Sequence, residues 1–241
     1  MKMAGSKYTP GSAGQIPVQE LLVPLLDDVS LPEFGPGPIL VGVDGSKSAA
    51  RACSWAAALA AAAGRSLIVA HAYSVGDFRG GPDVAAQSSR DEVARWLTAI
   101  ETGGLSEQQV EIIVASGDAG SALVRMAMAS NASLLVHGAG HVGAISQHGL
   151  GRTTQHTTFR SPSPVAVVRG SGGPVAKAPL VVGIDPADLN VAAISWSFAL
   201  ARVLGSPLEV VVVSDDAKAV DIVERLLEQL VRPDGPIVEL Y

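Results

Sequence analysis

Short β-branched runs alternate with alanine-rich stretches of helical spacing, and this alternation limits the folds open to the chain more than any other feature. ILVGVD at 39–44 reads as a strand of the buried type, and SLIVAHAY at 66–73, VEIIVASG at 110–117, SLLVHG at 133–138 and PVAVV at 164–168 read as further strands. Between them, 46–63, DEVARWLTAI at 91–100 and SALVRMAMAS at 121–130 place apolar residues at helical spacing. Ser46 or Ser48 supplies an N-cap for the first helix, and Gly64 suits its C-terminal stop. Strands that alternate with helices pair in parallel, and the helices cover both faces of the sheet. The expectation is an α/β fold with a doubly wound open parallel sheet and right-handed crossovers.

The pattern then starts again. LVGVDGSKSAARACSWAAALAAAAGRSL and VVGIDPADLNVAAISWSFALARVLGSPL align without a gap. Gly42 meets Gly183, Asp44 meets Asp185, Ala52 meets Ala193, Ser54–Trp55 meets Ser195–Trp196, Leu59 meets Leu200 and Gly64 meets Gly205. Agreement over a strand, a turn and a helix marks a repeat of one supersecondary unit. The second copy runs on through LEVVVVSD and the helical AVDIVERLLEQL to a third strand, PIVELY, with no counterpart of the glycine-rich stretch that follows residue 137. Four segments result: a Pro- and Gly-rich extension at 1–37, expected to be partly disordered or docked on a partner; a complete α/β domain at 38–170; a linker at 171–179; and an incomplete second domain at 180–241.

Hydrophobic residues make up 48% of the 241 and aromatics only 4%, so the core is expected to be built from Ala, Val, Leu and Ile. The net charge of −6 and the absence of clustered Lys and Arg argue against a nucleic-acid surface, which must neutralise phosphates. Cys53 is the single cysteine; it excludes an intrachain disulfide, points to a reducing compartment, and reads as a small core residue. No run approaches the ~18 apolar residues of a membrane span, and the N-terminus has no apolar signal core. A soluble, cytoplasmic protein is expected.

Asp44 stands at the carboxyl end of the first strand, followed by Gly45 and Ser46. Open parallel sheets bind ligands there. An Asp at that place accepts hydrogen bonds from a sugar hydroxyl or helps hold a metal; equally, it serves as a turn or capping residue. GAGHVG at 138–143 matches G-x-G-x-x-G but follows the fourth strand, and the fifth ends at Arg169 rather than at an acidic residue, so a classical dinucleotide site is not expected. His137, His141, His148 and His156 cluster in sequence, without a cysteine partner or an evident helical H-x-x-x-H; they read as exposed or hydrogen-bonded rather than as metal ligands. Trp55 and Trp196 read as packing residues.

VGVDGS, the helix after it, the strand carrying His71, and GAGHVGAISQHGLGRTTQHTTFRSPSPVAVVR together resemble the universal stress protein family. Its members carry G-x-x-G, nine residues, then G-[ST], a short helix and a Pro-x-Pro-Val strand. Gly138 and Gly151 take the first and third glycine positions, and Gln155–His156 and Pro162–Val165 align without gaps. The resemblance covers 38–170 fully and 180–241 in part. It implies strand order 3-2-1-4-5 and a stress-response regulator that binds ATP or a related adenine nucleotide, with or without Mg2+. Asp44, with Gly45 and Ser46, would meet the ribose. The Ala72 backbone would meet adenine. His137, Gly138, His141, Gly151, Arg152, Thr153 and Thr154 would surround the phosphates, where glycines admit close N–H groups and a helix offers its positive end.

Two positions depart from the pattern. His141 replaces a glycine and crowds the phosphate path or changes the loop. Arg152 replaces the Ser or Thr and trades a hydroxyl for a cation that pairs with phosphate. Two outcomes stand open: a cradle with altered donors, or a module that has lost its ligand and works through its surfaces. No nucleophile or general base is in place, so at most slow ATP hydrolysis is expected. The resemblance also implies a homodimer through the Pro164–Val168 strand edge and an unidentified regulatory partner.

Overall fold

The computed structural model describes residues 35–77, 79–100, 104–139, 151–170, 178–185, 190–212, 221, 223 and 238–240. They fall into two compact units, one spanning Gly35–Val175 and one containing the described residues of Ala176–Tyr241.

The first unit runs β1 (Ile39–Gly42), α1 (Lys47–Ala63), β2 (Leu67–Tyr73), α2 (Pro82–Leu97), β3 (Val110–Ser116), α3 (Ala119–Ala129), β4 (Leu134–Gly138), α4 (Arg152–Arg160) and β5 (Val165–Val168). All five strands are parallel, in the order β3-β2-β1-β4-β5. From β1 the chain builds outward to β3, then crosses back to β4 on the other side of β1. The crevice at the carboxyl ends of β1 and β4 is therefore the topological switch point.

Sequence dictates these elements directly. Ser46 caps α1, its Oγ accepting from the Ala49 N–H at 3.1 Å, and Gly64 closes it at φ 62°, a left-handed turn that glycine adopts without strain. The buried side of α1 is Ala52, Cys53, Ala56, Ala57, Leu59 and Ala60, mostly small side chains, and the helix packs on β1 and β4. On the other side, Ala122, Leu123, Met126 and Ala127 of α3 form a core with Leu40, Ile68, Ala70 and Leu135. Ile39, Leu40 and Val41 are fully buried, as a central parallel strand covered on both faces must be. Burial pushes the Cys53 thiol up to about 12, so it carries no thiolate at neutral pH.

One helix differs from the reading of the sequence. α2 begins at Pro82, not at Asp91. Pro82 starts the helix well because its missing N–H has no intrahelical partner at that position. The inner face is Ala85, Ser89 and Val93, and the serine in its middle interrupts the apolar stripe. Ser89 is fully buried, and among the described residues its hydroxyl has no hydrogen-bond partner. Ser89→Ala should therefore stabilise the protein by about 1 kcal/mol, since it removes an unpaired buried hydroxyl at nearly constant volume. A higher urea midpoint at unchanged slope is the expected readout.

The second unit runs β6 (Leu180–Ile184), α5 (Val191–Leu204), β7 (Leu208–Val212) and β8 (Val238–Leu240), with parallel strands in the order β6-β7-β8. Val182, Ile184, Ile194, Phe198, Ala201, Leu208, Val210 and Val223 form its core. Repeat positions share their pairing: Ile39 pairs with Leu67 in the first sheet, and Leu180 with Leu208 in the second. Gly64 and Gly205 end α1 and α5 in the same left-handed conformation. The helix starts differ. Ala187 stands where the first copy has Ser46 and has no capping oxygen; α5 is capped by Asn190, whose Oδ1 accepts from the Ala193 N–H at 3.0 Å. The N-terminal extension up to residue 34, most of the linker and most of the expected helix at AVDIVERLLEQL lie outside the described residues.

Candidate functional site

The switch-point crevice is bounded first by the turn after β1. Asp44 is exposed, and its Oδ1 accepts from the Ser46 N–H at 3.0 Å. The turn reading of this residue is thus realised, with one carboxylate oxygen engaged. Gly45 follows at φ +76°. Ser46 Oγ lies 2.9 Å from Ser48 Oγ as well as capping α1. The Val43 carbonyl accepts from His71 Nδ1–H at 2.8 Å, tying the turn to β2. Ala72, half-buried near the end of β2, pairs in register with Ala115.

The β4 side meets this turn closely. Gly42 of β1 pairs with His137 of β4, so Asp44 and Gly138 flank the same crevice. A Cβ on Gly138 would stand 2.6 Å from both the carbonyl carbon and the oxygen of Ser48, which shows how tightly the end of β4 lies on the first turn of α1.

His137 is 5% exposed, and its ring serves α4. Nε2 lies 2.9 Å from Thr157 Oγ1, while Nδ1 lies 3.1 Å from the Gly138 carbonyl and 3.5 Å from Thr154 Oγ1. Thr157 and Thr154 are themselves buried. Burial holds the imidazole below its ordinary value of 6.5, against a smaller upward pull from the Gly138 carbonyl. The folded chain then binds fewer protons than the unfolded chain once the pH falls below 6.5. Stability from this group is complete above that value and is lost as the pH falls toward the lowered one. Urea midpoints between pH 7.5 and pH 5 should fall with acid, and His137→Gln should flatten part of that slope.

α4 brings the remaining residues. Its N-cap is Gly151, which offers no side chain to the first-turn N–H groups. Thr153 is half-buried, Thr154 is buried, and Arg152 is 93% exposed. Arg152 Nη2 lies 3.7 Å from Asp118 Oδ1, the N-cap of α3. The Ser121 backbone N–H, then the Ser121 hydroxyl, hold the Asp118 carboxyl below the usual range, with Arg152 and His156 adding smaller pulls. An ion pair this exposed contributes little to stability. His141 lies outside the described residues, as does the rest of the glycine-rich stretch from Gly140 to Leu150.

The structure therefore brings Asp44, Gly45, Ser46 and Gly138 to one crevice, with the Ala72 end of β2 beside it. His137 is tied to α4 by its own hydrogen bonds. Sequence reasoning missed Trp96, whose indole touches Gly45 and His71. The available signal was its spacing, since Ala85, Ser89, Val93 and Trp96 follow one helix face. Among the described residues no group of three or more His, Cys, Asp or Glu is placed to hold a metal ion, and no helix is long and apolar enough to cross a membrane.

The first unit is a doubly wound α/β domain whose topological switch point lies between β1 and β4. The chain belongs to the universal stress protein family, whose model matches residues 36–169. A universal stress protein of Thermus aquaticus is 33% identical over 133 residues, 54% of this chain and 97% of the relative. A universal stress protein solved in complex with cAMP is 29% identical, covers 57% of this chain and 100% of its own, and has a TM-score of 0.44. A universal stress protein from Archaeoglobus fulgidus DSM 4304 is 16% identical, covers 86% of this chain and 77% of its own, and shares the fold at a TM-score of 0.66.

Proposed function

We propose that the Gly35–Val175 unit is a cytoplasmic stress-response module that binds ATP or another adenine nucleotide, with or without Mg2+. Asp44 takes the ribose, the Ala72 backbone the base, and Gly138 with the start of α4 the phosphates. The observation that carries this reading is the uncapped start of α4. Among the described residues its first-turn N–H groups have no side-chain acceptor, and they lie at the positive end of the helix dipole. Arg152 adds a cation whose present partner is exposed and weakly held, so a phosphate can displace it. Asp44 suits hydroxyl donors and repels phosphate, which orients the ligand. Family membership supports the stress-response role. His141 stands where the family pattern has a glycine, and its side chain is proposed to tune which phosphates fit. The module is a sensor rather than an efficient enzyme, with slow hydrolysis as its upper limit.

Calorimetric titration with ATP, ADP and cyclic AMP, with and without Mg2+, tests this. Saturable binding and a ligand-dependent rise in melting temperature are expected, because a ligand bound only by the native state stabilises it. No heat at millimolar nucleotide, from protein shown to be folded, would overturn the reading.

A second reading, an interaction module without nucleotide, rests on a different observation. Phe159 of α4 is 82% exposed beside β5, and among the described residues no strand pairs with the outer edge of β5. An apolar ring next to an open edge favours self-association. A homodimer through Pro164–Val168, available to a further regulatory partner, is proposed, and the second unit is proposed as an incomplete copy of the same fold. Sedimentation should show a dimer that Phe159→Glu weakens; a monomer at micromolar concentration would count against it.

A further inference from the structure

We infer that Trp96 is a specificity-determining residue of the crevice, one that walls its nucleoside end and, with His71, presets the Asp44 turn. This rests on the nucleotide reading above. Trp96 closes the inner face of α2, three residues beyond Val93, at the level where β1 gives way to the Asp44 turn. A Cβ on Gly45 would stand 2.8 Å from Trp96 Cε2 and Cζ2 and 3.2 Å from Nε1, so the indole lies directly on the Gly45 backbone. Gly45 is thus required twice, by its positive φ and by this contact. The His71 ring meets the indole edge to face, at 5.2 Å and 86°.

Three consecutive groups of the turn are held as a result. His71 holds the Val43 carbonyl, Trp96 backs Gly45, and Asp44 holds the Ser46 N–H. The Ser46 N–H engages only Oδ1 of Asp44, so the exposed carboxylate keeps its second oxygen for a ligand. Trp96 is only half-buried, so part of its ring is open next to the Gly45 turn. An open aromatic surface on the turn that carries the Asp44 carboxylate suits a ribose with a planar base, and it does nothing for a bare phosphate chain.

The test uses the full chain with ATP and inorganic tripolyphosphate as paired probes. ATP should change the tryptophan emission of the wild type, and that change should vanish in Trp96→Phe. Trp96→Ala should weaken ATP about tenfold to a hundredfold, the range of one lost base–aromatic stack, with tripolyphosphate unaffected. Trp96→Phe, which keeps a ring but no N–H, should recover most of that affinity. Thermal melts of each variant establish that it is folded. Equal losses for ATP and tripolyphosphate would reduce Trp96 to a packing residue and overturn the inference, as would wild-type ATP affinity in a folded Trp96→Ala. Both of these leave the nucleotide reading standing. A wild type that binds tripolyphosphate but not ATP would overturn that reading and this inference together.

Discussion

Gly138→Ala is expected to lower stability by about 1–3 kcal/mol, the usual cost of overpacking a tight site, and to weaken nucleotide binding with it. Gly138 is not among the glycines with positive φ, so the backbone itself would accept an alanine. The restraint is space. The added carbon would lie 2.6 Å from the Ser48 carbonyl carbon and oxygen and 2.9 Å from Ser48 Cβ. Two of those atoms are backbone of the first turn of α1 and cannot swing aside like a side-chain tip. Relief must come from parting β4 and α1, yet α1 is fixed there by its Ser46 cap and by Ala49, Ala52 and Cys53 in the core. Parting them also moves Gly138 away from the first turn of α1, which follows the Asp44 turn. Urea denaturation and calorimetry with ATP measure the two effects separately. An alanine variant with wild-type midpoint and affinity would mean that the close approach of β4 to α1 is not needed by either.

Much of this architecture was legible because local chemistry and tertiary environment agree. Ser46 and Gly64 bound α1 where capping physics places them, and the β-branched runs at 39–43, 66–73 and 133–138 became buried parallel strands. The strand order was not legible from periodicity, which says that strands are parallel but not which are neighbours; it came from the resemblance. The start of α2 was obscured because Ser89, a polar residue in the core, breaks the apolar stripe that marks a helix. His137 follows the apolar run Leu134–Val136 within β4, and that was the sign that its ring would be buried; its partners Thr154 and Thr157 were out of reach because they lie on the next helix. The pairing of Arg152 with Asp118 and the contact of Trp96 with Gly45 join residues far apart in sequence, and no local pattern encodes them. What the sequence carried was the set of groups at the strand ends; how they orient one another is set by packing.

Asp44→Asn and Asp44→Ala should separate the two roles of the carboxylate. Both are expected to weaken ATP about tenfold to a hundredfold, since a hydrogen bond to a charged group contributes about 1.5–3 kcal/mol. Their effects on the fold should differ. Asparagine keeps an amide oxygen that accepts the Ser46 N–H, so Asp44→Asn should melt like the wild type, whereas Asp44→Ala leaves that N–H to solvent and loses about 0.5–1 kcal/mol. Tripolyphosphate supplies the opposite sign. It has no hydroxyl to offer, and Asp44 repels it, so either variant should bind it as well as the wild type or slightly better. Affinity for ATP falling while affinity for tripolyphosphate holds would place Asp44 on the sugar. Wild-type ATP affinity in Asp44→Asn would instead make it a turn residue only, shaping the crevice without touching what enters it.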